Sequence, residues 1–403
     1  PELRVVVLEA RDRLGGRTST VQCSPSGLQS GPYEKTSPVH HPVEIGAEYV
    51  HGERGRTAAS TWALLDRYGM RANAGGNHCA ERQSMWASRG GKLQRLTGQD
   101  ESTCVVLHDA IINSVWELET RATEWMLEHP DVDPDATSAA HLIPAAGTNG
   151  LTEEDEQLLR NAAAEYYGAD LEDISLASLV LDHDISGGDD GASRGGRSGN
   201  HNDDENGTVI GGYGDADEQL QYRIDLGYSE LWRRLVSDGQ LDVRLGHAVT
   251  TVKAGRDKPI NSICVTTVSQ QTFSARRVIV TVPLALLQME QILFKPALSP
   301  QKQAAIGGLG AGQVAKVILT FSRVFWPKDF TFIWTARPAQ VIWRPGEGHH
   351  GGQDSTVLTA FFGGRDCKKM AEMTEAQAVA SVLSDLAHIF QIDSGELQAE
   401  LVH

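Results

Sequence analysis

The apolar positions of this chain fall into two rhythms. Short β-branched runs dominate both ends, and 3.6-residue periodicity dominates the middle. Val5–Leu8 is a continuous apolar run ending at Glu9, the pattern of a strand buried on both faces. "VEIGAEYVHG" (43–52) predicts a short strand broken by Gly46. "TAASTWALLDRYG" (57–69) predicts a helix closed by Gly69. Residues 102–128 predict a long amphipathic helix that "HPDVDPD" breaks. Thr152 opens another helix, with acids crowding its first turn and Gly168 at its end.

Beyond residue 226 the rhythm returns to strands. "GYSELWRRLVSDG" (227–239) reads as a helix. "LDVRLGHAVTTVKA" (241–254), "SICVTTVS" (262–269) and "RRVIVTVP" (277–284) read as strands. "LSPQKQAAIGGLG" (298–310) is a helix with Pro300 in its first turn. "QVAKVILTFSRVFW" (313–326) and "STVLTAFFGG" (355–364) are strands, and "MTEAQAVASVLSDLAHIF" (373–390) is a helix with the Thr374-x-x-Gln377 capping box. The order is an α/β piece, a helical lobe, then mixed α/β. Residues 186–207 hold almost no apolar side chain and read as a disordered acidic insertion, because they cannot bury enough surface to offset ordering entropy.

Charge changes the picture by exclusion. The net charge of −17 argues against a nucleic-acid partner, whose phosphates require a basic face. No apolar run reaches the roughly 18 residues of a membrane helix. The first residues read as a strand rather than a signal peptide, so the compartment stays open, with a cytoplasmic location as the default. Five scattered cysteines without a CxxC argue against a disulfide framework or a zinc site.

Two stretches carry candidate chemistry. A carboxylate ending a strand of a nucleotide-binding unit can accept both ribose hydroxyls, and Glu9 stands at such an end. Gly15-Gly16-Arg17 then lets backbone approach a ligand and adds a guanidinium able to fork onto phosphate. A surface strand followed by a basic turn explains the bare pattern equally well. The phosphate-cradling Gly-x-Gly-x-x-Gly belongs roughly 20 residues before the acid, and only eight residues precede Glu9 here. Gly310-x-Gly312-x-x-Ala315 does not replace it, because it follows a helix and precedes a strand. Lys316 is the second candidate. Alternation in "VAKVILTF" sets it among apolar neighbours on what reads as a central strand. Burial there requires a purpose or a partner, and the alternative is an edge-strand lysine reaching to water.

Taken together, "VVVLEARDRLGGRT", "VEIGAEYVHG", "VRLGHAVTTV" and the block from "VIVTVP" to "LTFSRVFW" resemble the flavin-containing amine oxidase family, which includes polyamine oxidases, monoamine oxidases and lysine demethylases. The form of residues 46–52 resembles the polyamine oxidases most. The resemblance implies a mixed α/β, FAD-binding, Rossmann-like two-domain fold with a helical lobe. It implies a partial FAD-binding domain over 1–75, a substrate and helical lobe over 76–225, returning FAD-domain strands over 226–297 and an incomplete substrate domain over 298–403. Residue by residue, it implies Glu9 at the adenosine ribose, with Arg11, Gly15, Gly16 and Arg17 toward ribose and pyrophosphate. Gly46, Ala47, Glu48 and Tyr49 would supply backbone and packing beside the flavin. Val249 would make a main-chain contact to adenine. Lys316 would hold a water at the flavin ring, and no metal would take part. The implied reaction is oxidation of a small amine, polyamine or related, by FAD and oxygen to an imine with hydrogen peroxide released. A relative acting on L-amino acids or histone lysine, or a non-catalytic remnant, are the alternatives. The family's first strand with its phosphate loop, and its closing flavin segment, have no counterpart in these residues. The resemblance therefore implies the middle of a longer protein, largely inactive by itself.

Overall fold

The computed structural model of the chain describes residues 4–24, 27–29, 41–51, 59–74, 85–96, 107, 110–111, 115, 117–180, 221–239, 241–255, 262–327, 330–345 and 355–402. The expected acidic insertion at 186–207 and most of the helix expected to begin at 102 lie outside these residues. The helix that is described there spans Leu118–Glu128.

A six-stranded sheet organises the larger half. Its order is Val314–Thr320, Val357–Gly363, Val341–Trp343, Phe332–Thr335, Met85–Arg89 and Lys92–Arg95. Both faces are covered, which is why its strands are apolar on both sides and not alternating. On one face lie the helix Glu153–Tyr167 and the helix Leu118–Glu128, packed through Leu158, Leu159, Ala162, Ala163, Leu118 and Ala122. On the other lies Glu375–Phe390, packed through Val382, Leu383, Leu386 and Ile389. Both long helices begin with the predicted hydroxyl cap. Thr152 and Asp155 cap one reciprocally, and Thr374 and Gln377 cap the other. Gly168 ends the first in the left-handed region at φ 67°.

The smaller half is built of short pieces. Val6–Leu8 pairs in parallel with Asp242–Arg244. Val249–Ala254, Ile263–Thr267, Thr272–Ala275 and Leu293–Lys295 form a four-stranded sheet. Two three-stranded sheets follow: Gly27–Gln29 with Thr20–Ser24 and His41–Glu44, and Val50–His51 with Gln221–Ile224 and Ala72–Ala74. The helices Ala59–Arg67 and Tyr228–Ser237 close over the second of these through Trp62, Leu65, Tyr228 and Leu231.

Four expectations are corrected. The first strand is not buried on both faces: Val6 and Val7 are 36% and 38% exposed, and Val6–Leu8 pairs along one side only among the described residues. Residues 241–254 form two strands, not one, because Gly246 turns the chain at φ 69°. Residues 277–283 form no strand; Ile279 is 88% exposed, and the apolar run finds no ladder to join among the described residues. The strand carrying Lys316 is an edge strand of its sheet, not a central one.

Candidate active site

The site grows from the turn that follows Val6–Leu8. The Glu9 N–H donates to the Arg244 carbonyl at 2.9 Å, and the Glu9 carbonyl accepts from the His247 N–H at 2.8 Å. This pairing sets Glu9 beside the segment that leads into Val249, two residues on. One carboxylate oxygen of Glu9 accepts the Arg11 N–H at 2.8 Å and shapes the turn. Gly15 and Gly16 both adopt left-handed backbone, at φ 94° and 57°. A Cβ on Gly15 would stand 2.5 Å from the Thr18 carbonyl, whereas the same atom on Gly16 would meet open space. The residue that braces the turn is Arg13, which sequence reasoning did not single out. Its guanidinium donates to the carbonyls of Leu14, Gly16 and Thr18 at 3.1, 2.9 and 3.3 Å. Arg11 and Arg17 are exposed.

The turn then touches the Gly46 loop. The Ala47 N–H donates to the Arg17 carbonyl at 3.0 Å, and the Ile45 N–H to the Ser19 carbonyl at 2.9 Å. A Cβ on Gly46 would lie 2.0 Å from the Arg17 carbonyl, so only glycine permits this approach.

Lys316 reaches the same loop from the opposite side. Its ammonium donates to the Gly46 carbonyl at 2.8 Å, the Glu44 carbonyl at 3.3 Å and the Glu48 carboxylate at 3.3 Å. It also stands 5.2 Å from the centroid of the Trp343 ring. Its side chain is 11% exposed. The edge strand therefore does not send its lysine to water; the loop 44–48 covers it. Glu9, Gly15 to Arg17, Gly46 to Tyr49, Val249 and Lys316 thus form one connected series, from the first strand to the large sheet.

Glu48 and Tyr49 do more than pack. Glu48 is buried and accepts from Arg223 at 2.7 Å and from the Trp343 indole at 3.2 Å. Burial alone would raise its carboxyl, but the Arg223 and Lys316 charges and their hydrogen bonds hold it below the usual carboxylate range. The Tyr49 hydroxyl accepts from Arg223 at 2.6 Å, with the guanidinium 4.8 Å from the Tyr49 ring centroid. His51 is exposed and meets the Tyr49 ring edge-on at 6.2 Å.

Two further carboxyls stand near the lysine. Burial pushes Glu44 up to about 7, although Tyr228 and Thr20 donate to it. Burial likewise pushes the half-buried Glu165 up to about 7, the Lys316 charge pulling the other way. Glu44, Glu165, Arg223 and Trp343 were not read from the sequence. Glu44 offers a weak signal, an acid among apolar residues of a short strand. Arg223 and Glu165 offer none, since long-range pairing alone brings them here.

The strand-end carboxylate, the glycine loop and the buried lysine are set in a fold shared with solved flavin-dependent amine oxidases: a putrescine oxidase superposes with a TM-score of 0.65 at 20% identity, covering 98% of this chain and 77% of that one. The family model for flavin containing amine oxidoreductase matches residues 2–402, and the chain belongs to that family of oxidoreductases. Polyamine oxidase 4 of Oryza sativa is 23% identical over 393 residues, 95% of this chain and 67% of its own length. Polyamine oxidase 2 of Arabidopsis thaliana is 44% identical over 88 residues, 22% of this chain and 17% of its own. Membership makes flavin the cofactor class and an amine with oxygen the reactants.

Proposed function

We propose that this chain carries the FAD site of a polyamine or related small-amine oxidase, which converts an amine to an imine and releases hydrogen peroxide. The observation that carries the reading is Lys316, buried on an edge strand with its ammonium against the Gly46 carbonyl. A lysine so placed loses much of its hydration, and family membership gives that loss a purpose.

The residues fit the cofactor at three points. Glu9 accepts the Arg11 N–H through one carboxylate oxygen, and the carboxylate would accept the sugar hydroxyls. Arg11 and Arg17, exposed beside the open Gly16, supply positive charge for a pyrophosphate. The Gly46–Tyr49 loop offers backbone to the ring system. Bound there, a flavin supplies the two-electron chemistry that neither side chains nor backbone possess. The protein's own tasks are binding, orientation and charge. Lys316 is held at the loop by its three hydrogen bonds. Val249, on the segment paired to Glu9, would place backbone against the adenine. Trp343 and Phe361 give the lysine an apolar wall; their rings are 5.7 Å apart.

The test is reconstitution. The full-length protein that carries this chain, incubated with FAD and desalted, is expected to retain flavin absorbance, whereas the 403 residues by themselves are expected to be largely inactive. Peroxide release is then measured with spermine, spermidine, putrescine, cyclohexylamine and an amino-acid set. Retained flavin with peroxide from di- or polyamines supports the reading. Failure to retain flavin, or turnover confined to amino acids, overturns it.

A further inference from the structure

One group in this site has a geometry that the family reading does not call for. Glu48 sits on the loop between two small sheets, yet its carboxylate is claimed from three directions. Arg223 of Gln221–Ile224 donates to Oε1, at 2.7 Å. Trp343 of Val341–Trp343 and Lys316 of Val314–Thr320 both donate to Oε2, at 3.2 and 3.3 Å. An ionised carboxylate offers about four acceptor sites, and three are used here by two cations and an indole. Both ions are buried: the side chains of Glu48 and Arg223 are 6% and 5% exposed.

The lysine's view is equally closed. An ammonium has three N–H donors. Lys316 meets three acceptors: the Gly46 carbonyl, the Glu44 carbonyl and Glu48. Two of these are backbone oxygens of a loop. Of the three, Glu48 is the one that meets the ammonium with a charged side chain, and that side chain is itself held by Arg223 and Trp343.

We infer that Glu48 is a positioning residue: held by Arg223 and Trp343, its carboxylate pins the Lys316 ammonium against the Gly46 carbonyl. Breaking such a pair from one side leaves a buried charge without compensation, which is far more damaging than its net worth. The consequence for the reaction rests on the reading of Lys316 given above; the pinning itself does not.

The charged and titratable groups facing Glu48 and its lysine are Glu44 from His41–Glu44, Glu165 from Glu153–Tyr167, Arg223 and Lys316. Removing Lys316 takes away one of the two cations that keep Glu48 ionised, so the acid limb of stability traced to Glu48 moves to higher pH. The experiment uses Lys316→Met, Glu48→Gln and the double variant. In the flavin-free chain, melting temperature is followed from neutral pH downward. Lys316→Met is expected to begin losing stability at a higher pH than the parent, and this difference is expected to vanish in the Glu48→Gln background. An acid limb unmoved by Lys316→Met overturns the inference, and this arm needs neither flavin nor a folded Glu48→Gln variant. In the flavin-loaded full-length protein, Glu48→Gln is expected to lower kcat by about 10- to 100-fold through misplacement of the lysine. The double variant is expected to match Lys316→Met alone within about twofold. Effects that multiply would mean that Glu48 acts apart from Lys316, and would overturn it. A full-length protein that retains no flavin refutes the proposed function while the acid-limb comparison still decides the pinning.

Discussion

At the residue scale, the buried carboxyls around Lys316 are set against each other by their neighbours. Glu48 has two cations and stays low; Glu44 has mainly neutral donors and rises to about 7. A carboxyl whose native value lies above its unfolded one binds more protons in the folded state between those two values. Stability from Glu44 is therefore greatest below about 4.5, and is lost as pH rises toward about 7. The loss is on the order of 3 kcal/mol. Glu44→Gln keeps an acceptor for the Tyr228 N–H and cannot ionise. It is expected to flatten the decline in melting temperature between pH 5 and 7, leaving the variant the more stable at pH 8. Glu48 contributes in the opposite sense, its stability present above the ordinary carboxylate range and lost in acid. The same contrast shows why the sequence reached only part of this site. Lys316 stood out because an apolar strand makes a charge conspicuous. Arg223, its counterweight, sits in an unremarkable "QYRID" and acquires meaning only when the fold delivers Glu48 to it.

At the element scale, legibility followed how local the cause was. The helix start at Thr152, the capping box at Thr374 and the helix-ending glycines at 69 and 168 depend on residues a few positions apart and were readable. The run "VIVTVP" was misread because β-branching reports a preference for extended backbone, whereas strand formation also requires a partner. The edge position of the lysine strand escaped for the same reason, since strand order is set by distant segments. The contact between the Arg17 turn and the Gly46 loop is a further non-local cause, and it is unusually tight. Gly46→Ala would drive a methyl group to within 2.0 Å of a backbone carbonyl that two adjacent hydrogen bonds hold in place. The expected result is destabilisation by about 1–3 kcal/mol, as for other overpacked sites. A parallel loss of flavin retention, measured by desalting, is expected with it. By contrast, Gly16→Ala meets open space and strains only its positive φ, so a smaller loss of stability, about 1 kcal/mol, is expected there.

At the scale of the whole molecule, the two halves differ in finish. The six-stranded sheet is covered on both faces by helices and has its own continuous cores. The smaller half leaves apolar side chains in water: Val5 is 46% exposed, Ile279 88% and Val280 40%. Among the described residues, Val6–Leu8 is paired along one side only.

The end of the helix Glu153–Tyr167 bears on all of this. Its Gly168 carbonyl receives the Gln313 N–H at 2.7 Å, and the Gln313 carbonyl receives the Gly364 N–H at 3.1 Å. A Cβ on Gly363 would sit 2.2 Å from the Ala164 carbonyl, so helix and strand ends touch backbone to backbone. The outermost strand of a sheet is ordinarily the first to fray. This one is moored at its root, three residues before its lysine, to a helix that begins with a capping box and ends in a left-handed glycine. The ammonium is thus held from two directions, by its strand's root at this helix and by the carbonyls of the loop it touches.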